Sequence, residues 1–183
     1  MKREIVRKKL LVSGCSFTEH TIDHDGIERR WCHYVADKLG YDLINLGRSG
    51  AGNEYIFASL FDYIENDPTD IGLVIPAWSK SSRRDYSVFG QWRNNRQDQF
   101  GDKEYFLKKT ARYKKMLDIL CKVRNIDVFQ IQMIELYGKN FDCVQGHTIG
   151  FMRDYTPDFI SETNRHPSQI GHDKIGKYIY ENL

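Results

Sequence analysis

No stretch of this 183-residue sequence stays apolar over the roughly 20 residues that a bilayer-spanning helix needs. The opening, "MKREIVRKKLLVSGCSF", is basic, but its apolar part is too short for a secretory core and carries no cleavage-like segment, so it reads as a charged lead-in to a first strand. Cysteine is scarce and scattered. Cys15, Cys32, Cys121 and Cys143 make no C-x-x-C pair and no zinc-type spacing, which points to free thiols in a reducing compartment and a cytoplasmic location. G-x-G-x-x-G is absent, which removes the usual dinucleotide fingerprint. The net charge of +2 selects no class of partner, and no repeat or low-complexity tract breaks the chain. What remains is an ordinary globular composition, 40% hydrophobic and 28% charged, of a length that suits one domain over residues 1–183.

Two periodicities alternate along that domain. Leu10, Leu11 and Val12 form an apolar run that stops at Gly14, as a buried strand would. "ERRWCHYVADKLG" places Trp31, Tyr34, Val35 and Leu39 on one helical face and ends at Gly40. "YDLINLG" predicts a second strand and "GNEYIFASLFDYIEN" a second helix, with Ile56, Leu60, Tyr63 and Ile64 at helical spacing. "DIGLVIPAWS" is apolar on both faces, as a parallel strand between two helix layers should be. The pattern then fails from Lys80 to about Gly101, which predicts a long loop insertion, functional or mobile. A long helix over "DKEYFLKKTARYKKMLDILCKVRN" follows, directing Phe106, Tyr113, Leu117 and Leu120 inward. "IDVFQIQMI" predicts a fourth strand. Residues 135–160 are irregular, with a short last strand expected near Phe159. A final helix over "PSQIGHDKIGKYIYENL" has Ser168 as its cap and Ile170, Ile175, Tyr178 and Ile179 on its inner face. Strand–helix alternation of this kind predicts an α/β fold, a parallel sheet with helices on both sides.

Three small clusters fall where such a sheet brings chain segments together, at the carboxyl ends of strands and beside the last helix. Ser16 follows the first strand in "GCSFT". "NLGRSGAGN", Asn45 to Asn53, follows the second and is rich in glycine. "HPSQIGH", His166 to His172, leads into the last helix. A hydroxyl, backbone N–H groups that can approach a ligand, and an imidazole are the parts of an acyl-transfer site.

These blocks, in this order, resemble the SGNH (GDSL-like) hydrolases, and the wording of "GCSFTE", "GAGNEYI" and "HPSQIGH" is most similar to members encoded by tailed phages. The resemblance spans nearly the whole chain. It implies a three-layer α/β/α sandwich of flavodoxin-like type and an esterase or deacylase activity without metal or organic cofactor. It aligns Ser16 with the family's nucleophile, Gly50 with its oxyanion-hole glycine and His166 with its base. Two positions depart. Trp78 and Ser79 stand where the family carries an oxyanion asparagine, so Ser79 is the remaining donor there. Thr163 stands where the family carries the acid that orients the base, and it can only accept a hydrogen bond without charge. Glu162 and Asp158 are nearby substitutes. Asn53 and Arg83 complete the candidates for oxyanion or substrate contact.

Rival readings attach to the same residues. Cys15 is the stronger nucleophile in principle, but its side chain should point away from that of Ser16 at a strand end. His20, Asp23, His24 and Asp25 carry metal-ligand atoms in a stretch that reads as loop, and they serve better as a pocket rim. His172, one turn into the last helix, reads as structural. Residues 80–124 hold 13 cations against 5 acids, interleaved with Tyr86, Phe89 and Trp92, which suits either a solvated helix face or an anionic partner such as nucleic acid. The leading expectation is a serine hydrolase for a small-molecule or glycan ester, with no membrane partner. The alternatives are a binding or structural protein on the same fold and, further off, a nucleic-acid-associated one.

Overall fold

Leu10, Leu11 and Val12 are all fully buried, in the middle of β1 (Lys9–Ser13). The computed structural model describes residues 7–19, 29–134, 158, 160–161, 163 and 166–183. β1 lies between β2 (Asp42–Asn45) and β3 (Ile71–Trp78), parallel to both. Two helices connect these strands, α1 (Trp31–Leu39) before β2 and α2 (Asn53–Asn66) before β3. Further along come α3 (Lys103–Arg124) and, closing the chain, α4 (Gln169–Glu181).

Alternate residues of each central strand face opposite helix layers. Leu10, Val12, Leu73, Ile75 and Ala77 pack with Trp31, Val35, Ile175 and Ile179 of α1 and α4. Leu11, Val74 and Trp78 pack with Ile56, Leu60, Leu117 and Cys121 of α2 and α3. Burial on both faces is why these strands read as unbroken apolar runs. It also fixes their register, because a slip of one residue would exchange the two layers. The result is the expected α/β sandwich around a parallel sheet.

Helix ends follow their local chemistry. α1 stops at Gly40, whose φ of 67° is left-handed. Asp102 caps α3 by accepting from Tyr105 N at 2.8 Å, and Ser168 caps α4 by accepting from Gly171 N at 3.2 Å. Ile170 corrects the expected inner face of α4, being 61% exposed. It lies five residues before Ile175, about 140° around the helix, on the solvent side.

The fourth strand is present but divided into β6 (Asp127–Val128) and β7 (Ile131–Gln132), both parallel to β3. The register is continuous, since Val74 pairs with Val128 and Ala77 with Ile131. Between them Gln130 turns its buried amide to Trp78 Nε1, at 2.8 Å, and to the Lys114 carbonyl, at 3.0 Å. The last strand expected near Phe159 lies outside the described residues.

Residues 80–101 differ most from expectation. They are largely an antiparallel hairpin, with β4 (Arg83–Val88) and β5 (Gln91–Gln97), not a loop. Its two-residue turn, Phe89–Gly90, has φ of 51° and 75°, the type I′ geometry that suits a tight hairpin. Two things hide it in the sequence. The turn uses Phe where Asn or Asp is the usual signal, and the inward residue of β4 is the carboxylate Asp85, 3% exposed, where alternation calls for an apolar side chain.

Candidate functional site

Past β1 the chain folds into a single turn, with Thr18 N and Glu19 N donating to the Cys15 carbonyl at 2.8 and 3.0 Å. Ser16 stands on this turn, while Cys15 points into the core with 0% exposure. The turn is bolted from two sides. From the start of α1, Trp31 Nε1 donates to Thr18 Oγ1 at 3.3 Å and Arg30 Nε to the Glu19 carbonyl at 3.0 Å. From the end of β2, Asn45 Nδ2 donates to the Thr18 carbonyl at 2.6 Å. A strand end, a helix start and a neighbouring strand thus converge on one hydroxyl.

His166 arrives from the other end of the chain. Its carbonyl accepts from Ile160 N at 3.0 Å, and two residues later Ser168 begins the α4 cap. The ring meets Phe17 edge-on, at 4.9 Å between centroids and 90° between planes. Its Nε2 lies 2.9 Å from Ser16 Oγ. That is hydrogen-bond distance for a hydroxyl and the ring nitrogen that would take its proton.

The glycine-rich segment sits beside this pair. Arg48 N donates to the Gly14 carbonyl at 2.9 Å, tying the segment to the end of β1, and Ala51 N donates to the Arg48 carbonyl at 3.1 Å. Gly50, at φ 72°, is in the left-handed region that a Cβ disfavours. Gly50 is buried, and among the described residues its N–H has no acceptor; nor has that of Ser16. Buried N–H groups are nearly always paired, so one without an acceptor among the described residues suits an anionic oxygen of a ligand.

The other predicted residues are in different employment. Asn53 is 3% exposed and its amide joins α2 to the end of β3 and to α3: Oδ1 accepts from Ser79 N at 2.7 Å, and Nδ2 donates to the Ser79 carbonyl at 3.2 Å and to Thr110 Oγ1 at 3.0 Å. Ser79 is fully buried, and its Oγ accepts from Arg83 at 2.8 Å. The same Arg83 nitrogen donates to the Ala51 carbonyl at 3.0 Å. These three residues brace the glycine segment from behind. Thr163 is exposed and its hydroxyl lies 3.2 Å from Ser161 Oγ. The Asp158 carboxylate pairs with Lys174. Glu162, His20, Asp23, His24 and Asp25 lie outside the described residues, among which no cluster of His, Cys, Asp and Glu fit for a metal occurs.

Two supports escaped the sequence reading. Arg30 is 3% exposed and donates to His172 Nε2 at 3.1 Å, so the base of the Ser16 turn is linked to the helix that follows His166. Burial, with the Arg30 charge beside it, drives the His172 pKa down to about 3, so this imidazole is a neutral acceptor. Asp85 is the second, and nothing in the residues around it marks its role. Within the basic segment, Arg83, Lys108, Lys109, Lys114 and Arg124 have internal partners, respectively the Ala51 carbonyl, Glu104, Glu54, Gln132 and Glu65. Of these partners only Glu54 and Glu65 add negative charge beyond the five acids counted in the segment itself.

Compared by sequence, the chain matches no protein-family model and no curated protein. Compared by structure, it is similar to a protein described as lipolytic and of the G-D-S-L family from Desulfitobacterium hafniense DCB-2, at TM-score 0.62 and 13% identity over 96% of this chain and 99% of the other. It is also similar to the psychrotrophic esterase EstA of a Pseudoalteromonas species, at TM-score 0.58 and 14% identity over 95% of each chain. A family 2 carbohydrate esterase with a carbohydrate-binding domain, from Myceliophthora fergusii, matches at TM-score 0.55 and 11% identity over 100% of this chain and 67% of the other. The fold is that of the SGNH hydrolases. No helix among the described residues is long and apolar enough to cross a membrane.

Proposed function

We propose that this protein is a serine hydrolase that cleaves small acyl esters, with an acetyl group on a carbohydrate as the favoured substrate class. The observation that carries the reading is the 2.9 Å contact between Ser16 Oγ and His166 Nε2, side chains 150 residues apart in sequence. Ser16 Oγ attacks the acyl carbon while His166 Nε2 takes its proton. The carbonyl oxygen, now anionic, is held by the N–H groups of Ser16 and Gly50. His166 returns the proton to the departing alkoxide, leaving an acyl-serine. Water, deprotonated by the same ring, then releases the acid and restores the hydroxyl. The esterases among the structural neighbours support this reaction class, and the carbohydrate esterase supports the glycan substrate.

Turnover of p-nitrophenyl acetate and labelling by a fluorophosphonate test it. Wild type should turn over and label, whereas Ser16→Ala should lose labelling and about 10³-fold or more in kcat, as should His166→Ala in kcat. Labelling that survives in Ser16→Ala overturns the nucleophile. Silence of the wild type in both assays favours a binding protein on this fold, a reading to which the neutral Thr163 and the internally engaged Ser79 lend weight.

A further inference from the structure

The residue at the N-cap of α2 is Gly52, which has no side chain with which to cap the helix. The missing acceptor comes from another element. Asp85 Oδ1 accepts from Gly52 N at 2.9 Å and Oδ2 accepts from Tyr55 N at 3.0 Å. Tyr55 is the third residue of the helix, whose N–H an ordinary capping side chain would take. A carboxylate there also faces the positive end of the helix dipole.

The hairpin is shaped for this. Pairing runs Arg84 with Arg96 and then Tyr86 with Arg93, so an extra residue of β5 lies opposite Asp85 and forms a bulge. The bulge bends β5 and adds local twist opposite Asp85, whose own strand carries no extra residue. Asn94, with its amide nitrogen turned to the carboxylate, adds a donor at 3.2 Å. Gly52 is the reciprocal adaptation: a Cβ there would stand 2.7 Å from Asp85 Oδ2 and 2.8 Å from Arg83 Cβ, so only glycine lets the hairpin come this close. Arg83, two residues before Asp85 on the same strand, holds the preceding carbonyl, that of Ala51.

We propose that Asp85 is a positioning residue for the acyl-transfer site, capping α2 from the hairpin so that the adjoining Gly50 N–H is held where an oxyanion would form beside Ser16. The inference rests on the hydrolase reading for its catalytic consequence and on the hydrogen bonds alone for its structural one. The segment is anchored at Arg48 to the end of β1 and at Ala51 and Gly52 to the hairpin, with Gly50 between the two anchors. Losing the Asp85 bonds leaves the second anchor resting on the Arg83–Ala51 bond alone.

The test compares Asp85→Asn with Asp102→Ala. The second variant removes an equivalent cap from α3, which bonds Tyr105 N and lies outside the site. Both should lower Tm by a few degrees. Asp85→Asn alone should reduce kcat for p-nitrophenyl acetate by about tenfold to a hundredfold with little change in KM, the signature of support lost mainly in the transition state. It alone should also speed amide hydrogen exchange at Gly50, Ala51 and Gly52, a readout that needs no turnover. Equal kcat in the two variants, or unchanged exchange across residues 50–52 in Asp85→Asn, overturns the proposal. A wild type without turnover in which exchange still responds to Asp85→Asn removes the hydrolase reading and keeps the clamp.

Discussion

The two halves of the site are held by different means. The Ser16 turn is fastened by elements of the sandwich itself: the Cys15 carbonyl at the end of β1, Arg30 and Trp31 at the start of α1, and Asn45 at the end of β2. The Gly50 segment is fastened to the sandwich at one end only, by Arg48 N to the Gly14 carbonyl, and at the other by an appended hairpin, through Arg83 and Asp85. A hydroxyl built on the sheet is as rigid as the core beneath it. A backbone N–H built on a loop needs a brace, and here the brace is charged and comes from a separate two-stranded sheet. The difference teaches that one half should fail together with global stability, whereas the other can be disturbed locally.

The strongest way to break this comparison is at Arg30. Arg30→Met keeps most of the buried bulk but leaves the Glu19 carbonyl and His172 Nε2 without their donor. Hydrogen bonds to a charged group carry about 1.5–3 kcal/mol each, so the expected loss is roughly 3 kcal/mol, read as a lower denaturation midpoint at an unchanged m-value. Turnover should fall in step with the folded fraction. If Arg30→Met leaves a fully folded protein whose kcat has dropped as far as that of Asp85→Asn, the two halves are not held differently after all.

His172 sharpens the comparison through pH. A buried imidazole with its pKa near 3, against about 6.5 in the unfolded chain, keeps the folded state from binding a proton that the unfolded state takes up. Stability is therefore full above about pH 6.5 and is lost as pH falls from there toward 3, by roughly 2 kcal/mol at pH 5. His172→Gln, whose amide oxygen can still accept from Arg30, should remove most of that acid sensitivity. The check is urea unfolding at pH 7 and pH 5. An equal loss of stability in wild type and variant would mean that this imidazole does not stay neutral in the folded state.

The meeting of Ser16 and His166 was legible in the sequence, and most of the brace was not. Leu10 to Val12, the stop at Gly14 and the "HPSQIGH" block are local patterns, and the fold places their ends together as strand order requires. The braces depend on residues that break local rules. Asp85 occupies the inward position of a strand, Arg30 is a buried cation at a helix start, Asn53 turns its amide to the Ser79 backbone, and the Ser79 hydroxyl is taken by Arg83. Such residues look like surface in a linear reading because their partners are brought in by tertiary structure, and a polar side chain carries no period to betray its burial. β6 and β7 obscure the fourth strand for a related reason, since Gln130 spends its amide on Trp78 and Lys114 between the two paired stretches.

The smallest effect is expected at the far end of the hairpin. Phe89 is fully exposed at φ 51°, a conformation that Asn adopts more readily than an aromatic residue. Phe89→Asn should therefore raise stability by about 0.5 kcal/mol, seen as a Tm higher by a degree or two, with the pairing of Val88 and Gln91 intact. If the hairpin acts on the site only through Arg83 and Asp85 at its base, kcat for p-nitrophenyl acetate stays at the wild-type value. A KM that rises in Phe89→Asn for a glycan ester but not for the small ester would give the tip a separate part in holding substrate. A kcat that changes for both would mean that the hairpin transmits strain along its whole length, and the brace could no longer be assigned to its base.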